Sequence, residues 1–364
     1  MSIYTTPLHF GYFLALLIAV LLVIRGFQEE RLSDKLLAAV LFLLAMEIQD
    51  YTFGFSGINF LWEKLNGFPR HFGLAFAPTI YFYLKAQINR DFKLKTKHLL
   101  PYVPYAIYFI INIIVFLNGK EFIEHWQKSP NTHWLGWLET IVLWSIYIYY
   151  FYQSLKIYKE YRNWAENQFS ETETISFAWL RNFIYLIIAG EIFKYTWNIA
   201  DYLIDMPYEN DWWWHLFTVG IICNVGIRGY AQTQPRYLHF SRKNIEELEI
   251  KTETKTDALT PNYADLIPKI EKLFIIEKVF LEPELSLSEL AKKLKTNSSV
   301  VSAAINQHYD RNFNDFVNQY RIKEFEIQTK KSVNKNYTKL AIALDCGFNS
   351  KATFNRALRK FGEG

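Results

Sequence analysis

Cysteine is scarce in this 364-residue chain. Cys223 and Cys346 are too few for a disulfide framework or a four-thiolate zinc site. Glycine and proline number 15 and 11, which excludes a collagen-like repeat. The eight histidines fall in no metal-ligand spacing, so no metal is expected. No phosphate-binding glycine loop, dinucleotide fingerprint, nucleophile elbow or kinase signature occurs. Neither an enzyme nor a cofactor is therefore expected. The apolar segments lack strand-like alternation, which argues against a membrane β-barrel.

What is abundant is apolar and aromatic. Hydrophobic residues make up 51%, with 30 Phe, 24 Tyr and 11 Trp. They gather in seven runs, Leu8–Ile24, Leu36–Gly54, Phe72–Ala86, Leu99–Leu117, Gly136–Leu155, Phe177–Ala200 and Trp212–Tyr230. Most approach the ~20 residues that a helix needs to cross a bilayer, and most lack the polar face of a soluble helix. The first run has neither a basic leader nor a small-residue cleavage site, so it reads as a span and not as a signal peptide. Connections and adjoining run ends on one side of the seven runs hold 16 Lys and Arg, and those on the other side hold 4. This bias places the N-terminus outside and everything after Tyr230 in the cytoplasm. Trp134, Trp137, Trp197 and Trp212–Trp214 lie near run ends, where amphipathic rings favour the headgroup layer.

Several polar residues interrupt the runs. Glu191, Lys194, Asn198 and Asp201 share one face of the sixth run by their 3, 4, 3 spacing. Ionisable groups at membrane depth face a bundle interior, where they pair or bind something. Glu191 and Lys194 either neutralise each other or line a ligand pocket that Glu139, Asn224, Glu47 and Asp50 could join. Asp50 and Asp201 are placed at the outer headgroups, and Pro78 marks a kink.

The composition then changes. Residues 232–260 read as a solvated linker with a short helix at Asn244–Ile250. From Pro261 onward the chain is amphipathic, with 17 Lys and Arg against 12 Asp and Glu. A first helix is expected over Tyr263–Val279. Ser286 with Glu289 forms a capping box for a helix burying Leu287, Leu290, Ala291 and Leu294. Ser298 is expected to cap the next, running to about His308. A longer helix, Asn312–Lys330, follows, about 28 Å long at 1.5 Å per residue. The pattern then repeats: Thr338 opens a short helix, Cys346–Gly347–Phe348 turns, and Asn349 or Ser350 caps a last helix ending near Phe361. Cys346 is expected to be a small core residue. Two helix-turn-helix units on one connector could put two recognition helices one DNA turn, about 34 Å, apart.

The segments "LSLSELAKKLKTNSSVVSAAIN", "NFNDFVNQYRIKE" and "LAIALDCGFNSKATFNRALRKFGEG" resemble the DNA-binding domain of AraC/XylS-type transcription regulators. Gly347, Phe348, Phe354, Arg356 and Lys360 carry the resemblance most specifically. It covers Leu285–Phe361, about a quarter of the chain. Asp310–Arg311 departs from the family's Gly-containing turn, Phe325 from its usual Ala, and Gly364 ends the chain before the family's closing segment.

The apolar runs and the resemblance together give an all-α expectation, with a seven-helix membrane region (1–231), the linker (232–260) and an AraC-type double helix-turn-helix domain (261–364). The resemblance implies double-stranded DNA as partner, read first by Ser298, Ser299, Val300, Ser302 and Asn306. Asn349, Ser350, Lys351, Thr353, Asn355, Arg356 and Lys360 form the second set. The implied setting is a bacterial cytoplasmic membrane, with a small-molecule or lipid effector and a homodimer as open possibilities. The alternative is a membrane transporter or enzyme with a regulatory helical tail.

Overall fold

The computed structural model describes residues 4–172, 175, 177–232, 240, 263–331 and 336–362. The described residues are mostly helical or in turns, with isolated bridge residues at Asn89, Phe169 and Ser286, the last two paired with each other. The linker's proposed helix at 244–250 lies outside the described residues. The chain divides into two units, Met1–Tyr158 with Ala178–His239, and Lys159–Phe177 with Phe240–Gly364.

The first unit holds α1 (Thr5–Gln28), α2 (Leu32–Phe55), the single turn α3 (Phe60–Glu63), α4 (Gly73–Ile88), α5 (Val103–Leu117), α6 (Lys120–Gln127), most of α7 (Pro130–Gln168), α8 (Ala178–Ile204) and α9 (Trp212–Ala231). Among the described residues, three helical stretches are long and apolar enough to cross a membrane: Thr5–Gln28, Leu32–Phe55 and Thr96–Leu117. The third is α5 extended by the 3-10 turn Thr96–Tyr102. The other runs differ for physical reasons. α4 has only 16 residues, short of a full crossing. α7 and α9 are rich in amphipathic Tyr and Trp, and α8 carries Arg181, Glu191, Lys194 and Asp201.

α2 is the hub, packing against α1, α4 and α9. Close approach depends on missing side chains. A Cβ on Gly11 would lie 2.6 Å from Val219, and one on Gly226 would lie 2.6 Å from Ile18, so α1 and α9 meet backbone to side chain. Meanwhile Phe10, Phe13, Leu17 and Val20 of α1, with Ile107, Ile110 and Ile114 of α5, face outward. An apolar outer face of that extent suits lipid and not water.

Helix ends are tied by charge. Asp34, buried in the first turn of α2, receives Arg25 at 2.7 Å and Arg31 at 3.3 Å. Arg25 also donates to the carbonyls of Tyr230 (2.5 Å) and Gly229 (3.4 Å) in the last turn of α9. Cation meets helix C-terminus and anion meets helix N-terminus, as the macrodipoles favour.

The second unit holds the end of α7, then α10 (Ile267–Ile275), α11 (Leu287–Lys293), α12 (Ser298–Tyr309), α13 (Phe313–Thr329), α14 (Lys339–Asp345) and α15 (Lys351–Phe361). α10 is shorter than the sequence pattern suggests, because the chain turns at Ile276–Lys278, where Lys278 takes φ +49°. α11 to α15 each open on a side-chain cap: Ser286, Asn297, Asn312, Thr338 and Ser350. Asn297, and not Ser298, caps α12, its Oδ1 accepting from the Val300 amide at 2.9 Å.

Two cores flank α13. The first joins Ile270, Phe274, Leu287, Leu290, Val301 and Ile305 to Phe313, Phe316 and Val317. The second joins Ile322 and Phe325 to Ile342, Cys346, Phe348, Phe354 and Ala357. One helix thus gives its first half to one helix pair and its second half to the other. Phe325 fills the second core, its ring 4.7 Å from Phe354. Burial raises the Cys346 thiol to about 12, as befits a small core residue.

Gly347 closes the joint between the cores. It takes φ +94°, and a Cβ there would lie 2.6 Å from the Phe280 carbonyl oxygen. Gly347→Ala is expected to cost about 2–3 kcal/mol, combining left-handed strain with a backbone clash. Denaturant unfolding of the full chain measures it. Asp310 ends α12 at φ +51° with an unbranched side chain. Asp310→Gly relieves that strain and is expected to raise stability by about 0.5–1 kcal/mol in the same measurement.

Candidate nucleic-acid interface

α11 and α12 are joined by a short turn in which Lys295 takes φ +54°, and α14 and α15 by the turn containing Gly347. In α12, Val301, Ala304 and Ile305 are buried, which leaves Ser298, Ser299, Val300 and Ser302 half-buried and Asn306 exposed. The outer face of α12 is neutral and polar.

α15 differs. Phe354 and Ala357 point inward, while Lys351, Arg356, Arg359 and Lys360 are exposed and Asn355 is half-buried. No acid lies on this helix. Ser350 accepts from the Thr353 amide at 3.1 Å, and Asn349 donates to the Pro283 carbonyl at 3.4 Å. Lys360 is paired with Asp315 at 2.6 Å. Thr353 is buried, at 1% exposure, and donates its hydroxyl to Glu171 at 3.0 Å. In this arrangement its side chain does not face solvent.

Comparison with protein-family models, curated proteins and solved structures gives no match. Role and chemistry therefore have to come from the side chains themselves.

The side chain that sequence reasoning missed is Arg321. It lies fully buried on α13, between the two cores. Its guanidinium donates to the carbonyls of Phe280 (2.7 Å) and Glu282 (2.8 Å) and to the Ser170 hydroxyl (3.3 Å). Burial pushes it down to about 10, a fall that the charge of Glu171 opposes, so it stays protonated at neutral pH. Nearby, burial pulls the Glu324 carboxyl up, but hydrogen bonds from Lys278 and Gln328 outweigh this and set it below the ordinary range. A fork-shaped cation that collects carbonyls from one subdomain while seated on the connector fixes the spacing of the two helix pairs.

The polar groups of the first unit form a smaller set than their sequence spacing suggests. Lys194 pairs with Glu47 at 2.5 Å and with Glu191 at 3.6 Å. His215 stacks on Tyr51 beside them, ring centres 4.0 Å apart. Asn198 and Asn224 are exposed and form no part of the cluster. Glu139 instead lines a separate cavity of about 390 Å³ with Tyr108, Asn112 and Trp126. Asp50 binds Arg70 through both carboxylate oxygens, at 2.8 and 2.9 Å, and Asp201 accepts from the Met206 amide at 3.0 Å. Among the described residues no group of His, Cys, Asp and Glu is arranged to hold a metal ion.

Proposed function

We propose that the protein is a membrane-anchored, sequence-specific DNA-binding transcription regulator. The observation that carries this is the α15 face, where four exposed cations and no acid stand on the second helix of a turn-linked pair. α12 occupies the equivalent place in the first pair. Each pair then acts as a helix-turn-helix reading head of AraC/XylS type, and α13 with Arg321 sets their spacing. The cationic head supplies phosphate contacts and the neutral head reads by hydrogen bonds alone.

In the first unit, seven crossings put the N-terminus outside and the DNA reader in the cytoplasm. The three long apolar helices and the lipid-suited faces of α1 and α5 support insertion in a membrane, while the seven crossings and their orientation rest on the apolar runs and the Lys and Arg bias. A signal in the bilayer or outside it biases the DNA-reading state. Lys194 is held between two carboxylates, Glu47 and Glu191, inside the first unit.

The test is selection sequencing with the full chain in nanodiscs against random duplex. A preferred sequence is expected. Arg356→Ala should cost about 1–3 kcal/mol on that sequence and relax its discrimination. Lys360→Ala should weaken binding to all duplexes alike and lower the salt slope by about 1. Equal binding to selected and random duplex rules the function out.

A further inference from the structure

The segment after α7 belongs to the second unit and crosses from one core to the other. The Ser170 amide donates to the Leu285 carbonyl at 3.1 Å, just before α11. The Ser170 carbonyl accepts from Asn314 Nδ2 at 2.6 Å, at the start of α13, and its hydroxyl accepts from Arg321 at 3.3 Å. Glu171 Oε1 accepts from the Thr353 hydroxyl at 3.0 Å, in the first turn of α15. Ser170 and Glu171 are both buried. This strap is seated on groups from both helix pairs and from the connector.

The contact of its Glu171 carboxylate falls where DNA would come. The N-terminal turn of a helix attracts anions through its free amides and its dipole, and the N-terminal residues of a reading helix lie nearest the bases. A carboxylate held there takes the place of a phosphate oxygen and repels the backbone behind it. Further along the helix, Arg356 and Lys360 line a cleft with Glu166 of α7 and Asp315. The strap follows α7 at once and precedes α8 in the chain, and most residues of those two helices belong to the first unit.

We propose that residues 169–172 are a built-in lock on the second reading head, in which Glu171 holds the place of a DNA phosphate until movement of the α7–α8 connection withdraws it. This rests on the DNA-reading function proposed above and names its regulation. The route from membrane to DNA then includes this connection as well as the linker.

The lock is tested on the full chain in nanodiscs, at fixed salt, with the duplex that the wild type selects and with random duplex. Glu171→Gln removes the charge and leaves an oxygen for Thr353. Asn314→Ala removes the anchor of the Ser170 carbonyl and changes no charge. Both should tighten binding roughly tenfold, the worth of one charge-assisted hydrogen bond. Unchanged affinity in both variants overturns the lock. Weaker binding overturns it too and marks the strap as a brace for reading. A gain in Glu171→Gln alone marks simple charge removal near DNA, which also sinks the proposal. If the wild type binds both duplexes alike, the DNA-reading function itself fails. A wild type that discriminates, with variants that gain nothing, fails the lock only.

Discussion

Arg321→Met should unfold the second unit at much lower denaturant, with a loss of about 3–5 kcal/mol, the range for removing one partner from a buried charged network. Methionine fills similar length but leaves the carbonyls of Phe280 and Glu282 without the donors they have at 2.7 and 2.8 Å. Each buried carbonyl so stranded costs about 1–3 kcal/mol. An apolar substitute is tolerated where it replaces both members of a pair, but here the acceptors are backbone and stay behind. Arg321→Lys should recover less than half, because one ammonium cannot span two carbonyls in the fork geometry of guanidinium. The transition should also broaden, since the two cores on α13 lose the residue that couples them. Denaturant unfolding followed by far-UV circular dichroism checks both effects. A shift under about 0.5 kcal/mol, the size of an ordinary surface substitution, would show that the guanidinium holds nothing.

Lys194→Met carries a comparable expectation for the first unit. It leaves Glu47 and Glu191 without the cation that now sits 2.5 and 3.6 Å from them. Two carboxylates facing each other away from bulk water should cost about 3–5 kcal/mol. For a unit of this size that is roughly a 10 °C fall in melting temperature. Adding Glu47→Gln and Glu191→Gln to Lys194→Met should restore most of the loss, because no charge is then left uncompensated. Thermal unfolding of the purified chain in nanodiscs reads both variants. A single variant as stable as the wild type would mean that the cluster is not held together by charge.

Features written within one helical turn were the most legible. Ser286 with Glu289, Thr338 and Ser350 could be read as caps because each cap joins residues three apart. Asn297 displaced Ser298 because either side chain can accept from an amide two or three residues on, and only the backbone angle at Asn297 decided between them. The buried stripe of α11, Leu287, Leu290 and Ala291, followed from period alone, while Leu294 at its end is only half-buried. The length of α10 did not, because Lys278 ends its region in a left-handed conformation that no local preference demands.

The candidate sites were legible only in part. Spacing put Glu191 and Lys194 on one face, but Glu47, 147 residues away, supplied the closer partner. The same spacing grouped Asn198 with them, although its side chain is exposed. Thr353 was placed with its neighbours on a recognition helix, yet its hydroxyl is taken by Glu171, 182 residues earlier.

The sequence by itself determined that the chain is mainly helical in its described parts, where its apolar runs lie, which residues start most of the C-terminal helices, and that α15 exposes Lys351, Arg356 and Lys360. These are matters of period, capping and composition, and they act within a few residues. Only the tertiary structure decided that Arg321 is a clamp and not a surface charge, that Gly347 is needed for space as well as for its backbone angle, and that residues 169–172 belong with the C-terminal helices. Those outcomes depend on which groups meet across 41 to 182 residues of chain. No local spacing specifies such meetings. They follow from the packing of two cores on one helix and from the need of each buried polar group to find a partner.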